Sequence, residues 1–161
     1  NLTADNAQIL ALDIYPAKLD ELRKRCYRNG IQSVQTASVE NETVLNGIEK
    51  MADGILIDAP CSGLGVLKRN PDAKWNITPE RLEEILEVQK NILQTYAPMV
   101  KKGGTLVYAT CSILPLENQL QVSHFLGSEL GDLFELEKEH TYFSHETGFD
   151  GFYCARMIRK M

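Results

Sequence analysis

The chain has 161 residues, of which 43% are hydrophobic and 24% charged, and its formal net charge is −5. These values are typical of one globular domain, so we expect residues 1–161 to form a single domain. The apolar runs fall well short of the about 20 residues that cross a bilayer, and no signal peptide is visible. An acidic chain has no overall attraction to nucleic acid, so any such contact must be local.

Four cysteines lie far apart in the sequence, at Cys26, Cys61, Cys111 and Cys154. The sequence has no CxxC motif or Cys/His cluster, and its three histidines lack the spacing of metal ligands, so we expect no metal site. Disulfide frameworks are characteristic of secreted chains, and this chain shows no secretory signal. We therefore expect four reduced thiols, as in a cytoplasmic protein.

Strands and helices alternate along most of the chain. The predicted strands cover residues 9–13, 31–37, 54–58 and 105–109, and the predicted helices cover residues 16–28, 79–100 and 115–127. Residues 38–52 form a polar connection that can hold one helical turn. The tail offers extended segments at 133–136 and 152–158 without a helix between them, which predicts an antiparallel pair. This order is typical of an α/β fold with a mostly parallel sheet.

Two of the predicted helices have clear starting signals. Thr78 and Pro79 form an N-cap and a first helical position, and the apolar stripe that follows them also includes Gln89. Pro115 opens the next helix, which we expect to bury one apolar face. The members of that face are Leu116, Leu120, Val122, Phe125 and Leu126.

Asp13 closes the first predicted strand. Doubly wound nucleotide-binding folds place an acid at such a position to bind ribose hydroxyls. A helix-capping or solvated aspartate would look the same in the sequence. The glycine-rich turn that should precede a ribose-binding acid by about 20 residues is not in the sequence, so position alone leaves both interpretations open.

Two cysteines share almost the same local setting. Cys61 and Cys111 each follow a short apolar run that predicts a buried parallel strand, and each is followed by serine. Ligands bind beyond the carboxyl ends of such strands, and a thiolate is a strong nucleophile. Asp58 and the rigid Pro60 precede Cys61, and the carboxylate is suited to bond the polar edge of a flat heterocycle. The alternative is a pair of packed cysteines at strand ends.

A loop next to Cys61 combines basic and aromatic residues: Lys68, Arg69, Lys74 and Trp75. Phosphate contacts and base stacking use these residue types. An ordinary solvated loop is the alternative, and Asp72 reduces the local positive charge.

Three segments together resemble a known family. Residues 57–72 and 103–118, which contain the two cysteine motifs, and the closing residues 150–156 are similar to the RNA cytosine-C5 methyltransferases of the Nol1/Nop2/Sun type. Within that family the chain most resembles the branch that acts on bacterial 16S ribosomal RNA. The similarity runs from about residue 11 to the end. It implies a Rossmann-like class I methyltransferase sheet, S-adenosylmethionine as cofactor, and RNA as substrate, 16S ribosomal RNA first and tRNA as the alternative.

The resemblance also implies roles for individual residues. Cys111 would be the nucleophile that adds to C6 of the cytosine, and Cys61 would help the covalent adduct resolve and release. Asp58 would hold the N3/N4 edge of the base. Cofactor contacts would come from Asp13, Asp58 and Pro60. Lys68, Arg69, Lys74 and Trp75 would contact RNA.

The sequence also departs from the family pattern. The glycine-rich cofactor loop, the first strand of the sheet and an amino-terminal RNA-binding region are missing, and the acid expected near residues 36–37 is replaced. We therefore expect a fragment of a larger enzyme that is weak or inactive alone. The rival interpretation is a non-catalytic RNA-binding or assembly module with the same fold. An amino-group methyltransferase is a third alternative, but such enzymes need no thiol at Cys111.

Overall fold

The computed structural model describes residues 6–40, 48 and 50–161. The chain divides into two compact units, Asn1–Ile48 and Glu49–Met161, and each is described here by itself. That residues 1–161 form one domain stays a prediction. Most of the predicted connection at 38–52 lies outside the described residues.

The first unit is a strand–helix–strand unit, as predicted. Strands β1 (Ile9–Asp13) and β2 (Val34–Ser38) pair in parallel and in register along their whole length. Helix α1 (Pro16–Arg28) connects them and buries Leu19. Proline suits the first helical position because its missing N–H would have no intrahelical partner there. Asp13, at the last position of β1, therefore lies at the carboxyl end of this sheet.

The second unit contains a four-stranded sheet. Its strands are β3 (Ala52–Asp58), β4 (Val100–Thr110), β5 (Phe134–Tyr142) and β6 (Phe152–Arg159), in the spatial order β3-β4-β6-β5. Strands β3 and β4 are parallel, whereas β6 is antiparallel to both β4 and β5. The predicted antiparallel pair at the end of the chain is confirmed, but β5 extends beyond the predicted residue 136, and a helix of four residues, Ser144–Thr147, lies between the strands where none was predicted.

Helices α2 (Pro79–Tyr96), α3 (Gln119–Leu126) and α4 (Ser144–Thr147) complete the second unit. The Thr78 side chain accepts a hydrogen bond from the Arg81 backbone N–H, so the predicted N-cap is present. A 3₁₀ turn, Ala97–Met99, follows α2 directly. Within the described part of the chain, no helix is long and apolar enough to span a membrane.

The prediction for the helix after Pro115 was partly wrong. Helix α3 begins only at Gln119, and two residues assigned to its buried face, Leu116 and Leu120, are 46% and 53% exposed. Val122 and Phe125 are buried as expected. The difference arises because residues 115–118 form a turn that directs polar rather than apolar side chains inward.

Strand β4 also begins earlier than predicted, at Val100 rather than Thr105. Ala52 lies opposite Val100 while Gly54 lies opposite Thr105, so the four residues between them in β4 bulge out of the ladder. Gly103 within this bulge has a φ of +73°. A glycine suits this irregular part of the strand, because a residue with a side chain rarely adopts a positive φ.

The core of the second unit packs the sheet against α2 and α3. Its fully buried side chains include Leu93, Val100, Leu106, Tyr108, Tyr153, Ala155 and Met157. Among the described residues β3 pairs only with β4, and Leu56 on β3 is 71% exposed. Because β3 and β4 are parallel and adjacent, the loops that follow them begin side by side.

Candidate active site

The two predicted thiols meet where these loops begin. Asp58 at the end of β3 lies opposite Ala109 of β4, so the residues that follow run next to each other. Cys61 Sγ lies 3.2 Å from Cys111 Sγ, and both side chains are half-buried. Sequence reasoning expected two thiols at one crevice, and the structure brings them together.

Backbone hydrogen bonds join three loops around the thiol pair. The Gly65 N–H donates to the Cys111 carbonyl oxygen at 2.9 Å, and the Gly151 N–H donates to the Gly65 carbonyl oxygen at 2.7 Å. A Cβ atom on Gly65 would lie 2.2 Å from the Gly151 oxygen and 2.7 Å from the Cys111 oxygen. The loops after β3 and β4 and the loop before β6 therefore close only around glycine.

The serine after each thiol points inward to a shared carboxylate. Ser62 Oγ donates to Glu117 at 2.5 Å, and Ser112 Oγ donates to the same oxygen, Oε2. The Ser62 backbone N–H donates to the other oxygen, Oε1, at 2.7 Å. The two hydroxyl oxygens are 3.2 Å apart. Since Glu117 has no exposed surface, these bonds replace its lost hydration.

Two side-chain amides extend this buried polar cluster. Gln89 on α2 donates through Nε2 to the Pro60 carbonyl oxygen at 2.9 Å and to Glu117 Oε1 at 3.2 Å. Asn118 donates to the Ser112 carbonyl oxygen at 3.0 Å and accepts from Thr110 Oγ1 at 2.6 Å. We call Gln89, Glu117, Asn118 and the two serines the Glu117 cluster.

Sequence reasoning missed the Glu117 cluster. One signal was Gln89, a polar residue within the apolar stripe of α2, which is fully buried. The other was the pair Glu117 and Asn118, which forms part of the second family-like segment but had no assigned role. Neither signal identifies a partner without the fold.

The thiols affect each other electrostatically. The hydrogen bond from the Cys61 thiol lowers the pKa of Cys111 to about 7, although burial and the Asp58 charge oppose this change. The same hydrogen bond, followed by burial, raises the pKa of Cys61 well above its ordinary range. Cys111 is therefore the member of the pair that carries the thiolate near neutral pH.

The predicted cofactor residues lie in both units. Asp58 is exposed at the end of β3, and Pro60 exposes part of its surface while its carbonyl oxygen bonds to Gln89. In the first unit, Asp13 Oδ1 accepts from the Tyr15 backbone N–H at 2.8 Å, and its Oδ2 lies 3.7 Å from Lys18 Nζ. The N-cap residue of α1 is Tyr15, so Asp13 binds the backbone of the turn before the helix and is not its N-cap. Its Oδ2 makes only a long ionic contact.

The basic loop, defined as Lys68, Arg69, Lys74 and Trp75, is exposed throughout. Arg69 Nε donates to Asp150 at 2.6 Å, and Lys74 Nζ lies 4.9 Å from the centre of the Trp75 ring. These side chains are open to a ligand, and their role stays a prediction. Among the described residues, no three His, Cys, Asp or Glu side chains cluster as they would around a metal ion.

Solved structures identify the class of fold. The structure of NSun6 from Pyrococcus horikoshii with SFG matches 99% of this chain and 43% of its own, with a TM-score of 0.84 and 24% identity. A methyltransferase homologue protein from the same organism matches 98% of this chain and 54% of its own, with a TM-score of 0.78 and 25% identity. The chain has a Rossmann-like methyltransferase fold, as the resemblance implied.

Sequence comparison narrows the class to a family. The chain belongs to the 16S rRNA methyltransferase RsmB/F family, whose family model matches residues 1–158. It is 35% identical over 164 residues to the ribosomal RNA small subunit methyltransferase B of Yersinia pseudotuberculosis serotype O:1b, strain IP 31758, and equally to that of Yersinia pestis. These alignments cover 98% of this chain but 38% of each relative, so the chain spans well under half their length.

Proposed function

We propose that the intact protein carrying this chain methylates C5 of a cytosine in RNA, with S-adenosylmethionine as the methyl donor. The observation that carries the proposal is the Cys61–Cys111 contact at 3.2 Å, in which Cys111 has the lower pKa. The names of the Yersinia relatives favour small-subunit ribosomal RNA as the substrate, and tRNA is the alternative.

Cys111 acts first in the proposed mechanism. The target cytosine leaves its stack to reach the thiols. The Cys111 thiolate forms a bond to C6, and the electron pair of the C5–C6 double bond moves toward C5, which becomes nucleophilic. Asp58 holds the N3/N4 edge of the ring by hydrogen bonding. S-adenosylmethionine, when bound, supplies the electrophilic methyl group that C5 receives.

Cys61 acts in the second half of the mechanism. Water takes the proton from C5, the electron pair of that C–H bond re-forms the C5–C6 double bond, and the C6–sulfur bond breaks as Cys111 leaves as a thiolate. A thiol 3.2 Å away can donate a hydrogen bond to that sulfur as negative charge returns to it. This contact supports the predicted role of Cys61 in release of the adduct.

The described residues suit part of a cofactor site. Asp13 keeps one carboxylate oxygen in only a long contact with Lys18, so that oxygen remains able to accept hydrogen bonds from ribose hydroxyls. Asp58 and Pro60 expose surface at the end of β3. We infer that each of these residues contacts the cofactor in the intact protein, as the family resemblance implies.

We propose that the basic loop contacts the RNA near the target base. Its exposed cations suit phosphates, and Trp75 suits stacking on an unpaired base. The cytoplasm is the proposed location, because all four cysteines of the chain are free thiols.

Two substitutions in the intact protein test the mechanism. Cys111→Ala removes the nucleophile, and we expect methyl transfer to fall by about a thousandfold or more. Cys61→Ala keeps the nucleophile but slows its release, so it should accumulate a protein–RNA adduct that survives denaturing electrophoresis. Cys26→Ala, which alters a half-buried thiol in α1, is the control and should methylate normally. Transfer at the normal rate by Cys111→Ala would refute the assigned nucleophile.

A non-catalytic RNA-binding or assembly module is the second candidate. Its support is that Asp13 Oδ1 already accepts a hydrogen bond from the Tyr15 backbone N–H, and that Thr36 and Ala37 stand where the family has an acid. Calorimetric titration with S-adenosylmethionine separates the two candidates when it is run on both the 161-residue chain and the intact protein. Methyl transfer predicts binding by the intact protein, whereas the module predicts none by either.

A further inference from the structure

We propose that Glu117 is a positioning residue: its carboxylate ties together the two loops that carry Cys61 and Cys111 and thereby sets the contact between the thiols. The consequence for methyl transfer rests on the function proposed above. The effect on the thiol pair does not, because it depends only on the geometry of the two loops.

The donors to Glu117 come from the residues next to the thiols. Ser62 follows Cys61 and supplies both its backbone N–H and its hydroxyl, while Ser112 follows Cys111 and supplies its hydroxyl. One carboxylate therefore binds both loops one residue beyond each sulfur atom. Any displacement of the carboxylate relaxes both connections at once.

The chemistry of the donors explains why an acid is suited to this position. A buried carboxylate is costly unless several donors satisfy it. Glu117 receives a backbone N–H, two hydroxyls and the Gln89 amide, all neutral, and it is fully buried. A carboxylate accepts hydrogen bonds at both oxygens, whereas an amide accepts at only one. Glutamine would fill the same space, but its NH2 group would meet the two serine hydroxyls as a donor, so neutral hydrogen bonds would replace the stronger charge-assisted ones.

The surrounding residues hold Glu117 itself in place. The Tyr108 hydroxyl donates to the Glu117 backbone carbonyl oxygen at 2.8 Å, and Asn118 next to it donates to the Ser112 carbonyl oxygen at 3.0 Å. The backbone of Glu117 is thus fixed to β4 independently of its carboxylate. This separation supplies a matched control, because Tyr108→Phe removes a buried hydrogen bond to the same residue without touching the carboxylate.

Phenylarsine oxide measures the thiol pair directly in the intact protein. The reagent forms two As–S bonds, and its oxygen leaves as water with the two thiol protons, so tight binding requires two thiols held close together. The affinity for the arsenical that is lost in Cys61→Ser requires both thiols, and we call it the pair-specific affinity. The variants to compare are Glu117→Gln, the double variant Ser62→Ala with Ser112→Ala, and the control Tyr108→Phe.

We expect Glu117→Gln and the double serine variant each to weaken the pair-specific affinity about tenfold or more, since each removes charge-assisted hydrogen bonds. Tyr108→Phe should bind the arsenical as the wild type does, although it melts at a lower temperature. If Glu117→Gln or the double serine variant does not fold, the single variant Ser112→Ala decides, because it releases one loop and leaves Glu117 its donors from Ser62 and Gln89. Wild-type affinity in the folded variants would overturn the proposal and leave Glu117 a residue of fold stability only.

Methyl transfer provides the second readout. Glu117→Gln should lower kcat about tenfold while the KM for RNA stays unchanged, because the substitution alters the thiols and not the RNA-binding surface. An equal rise in KM with normal kcat would contradict positioning. If the wild-type protein transfers no methyl group, the proposed function fails, but the arsenical measurement still decides the role of Glu117.

Discussion

The Glu117 cluster and the basic loop differ in burial and in the number of their hydrogen bonds. In the cluster, Glu117 and Gln89 are fully buried and bonded to several partners. In the basic loop, which follows β3, the four defining side chains are exposed, and Arg69 stays 71% exposed although it pairs with Asp150. One region is shielded from solvent, and the other presents its charges to solvent.

This contrast indicates how the two tasks of the proposed enzyme are divided. Covalent chemistry needs reacting groups held within a fraction of an ångström, which buried and fully bonded polar groups provide. Binding a flexible polyanion needs charge that can rearrange, which exposed lysine and arginine side chains provide. Substitutions in the buried region should therefore change stability and thiol chemistry, whereas substitutions in the exposed region should change affinity alone.

The largest effect is expected from Gly65→Ala, because the backbone of Gly65 is hydrogen-bonded to both Cys111 and Gly151. The new Cβ would overlap the Gly151 and Cys111 carbonyl oxygens, so we expect a loss of about 3 kcal/mol in the free energy of unfolding, measured with denaturant. Gly148→Ala is the control, because Gly148 has a φ of +75° but no atom within 4 Å of the added Cβ. It should lose only about 1 kcal/mol from backbone strain. Equal losses of unfolding free energy in the two variants would show that the close approach of the loops at Gly65 is not needed.

The next largest effect is expected in the basic loop. Replacing Lys68, Arg69 and Lys74 with alanine should weaken RNA binding by the intact protein about hundredfold near 0.1 M salt and reduce the salt slope by about 2. The free energy of unfolding should hardly change, because the side chains are exposed. The control removes three exposed cations from α1, Lys24, Arg25 and Arg28. An equal loss of affinity in the control would mean that net charge, and not this loop, attracts the RNA.

A smaller effect is expected when one thiol of the pair is removed. Cys111 should react with iodoacetamide as the thiolate, so its rate rises with pH and reaches half its maximum near pH 7. Cys61→Ala removes the hydrogen bond that lowers this pKa, and the half-maximum should move up by about one unit, toward the ordinary thiol value. Peptide mass spectrometry can follow Cys111 alone. If the pH of half-maximal reaction were the same in Cys61→Ala, Cys61 would not affect the pKa of Cys111.

The sequence was sufficient to predict the parts that depend on local pattern. Apolar runs before Cys61 and Cys111 predicted two parallel strands that could be neighbours, and the structure pairs them. The extended segments at the end of the chain predicted the antiparallel pair, although the short helix α4 between them was not predicted. The thiols meet because neighbouring parallel strands end at the same edge of the sheet.

The remaining features depend on tertiary contacts that a pattern of apolar residues does not encode. Counting apolar residues placed Leu116 and Leu120 inside, whereas the turn before α3 buries Glu117 and Asn118 and leaves the leucines exposed. A buried carboxylate is stable only with its donors; Ser112 is five residues away, but Gln89 and Ser62 are 28 and 55 residues away in the sequence. The role of Asp13 is likewise not determined by its position, since a cap and a ribose ligand use the same carboxylate.

The contact between the two thiols also has a consequence for how the protein is handled. Hydroperoxides oxidise a thiolate to a sulfenic acid, and a second thiol can then displace water to form a disulfide. Cys111 has the acidity that favours the first step, and Cys61 lies 3.2 Å away for the second. Oxidation in air or peroxide would block both thiols together. A preparation stored without reductant would then lack both reactive thiols although its fold remained intact.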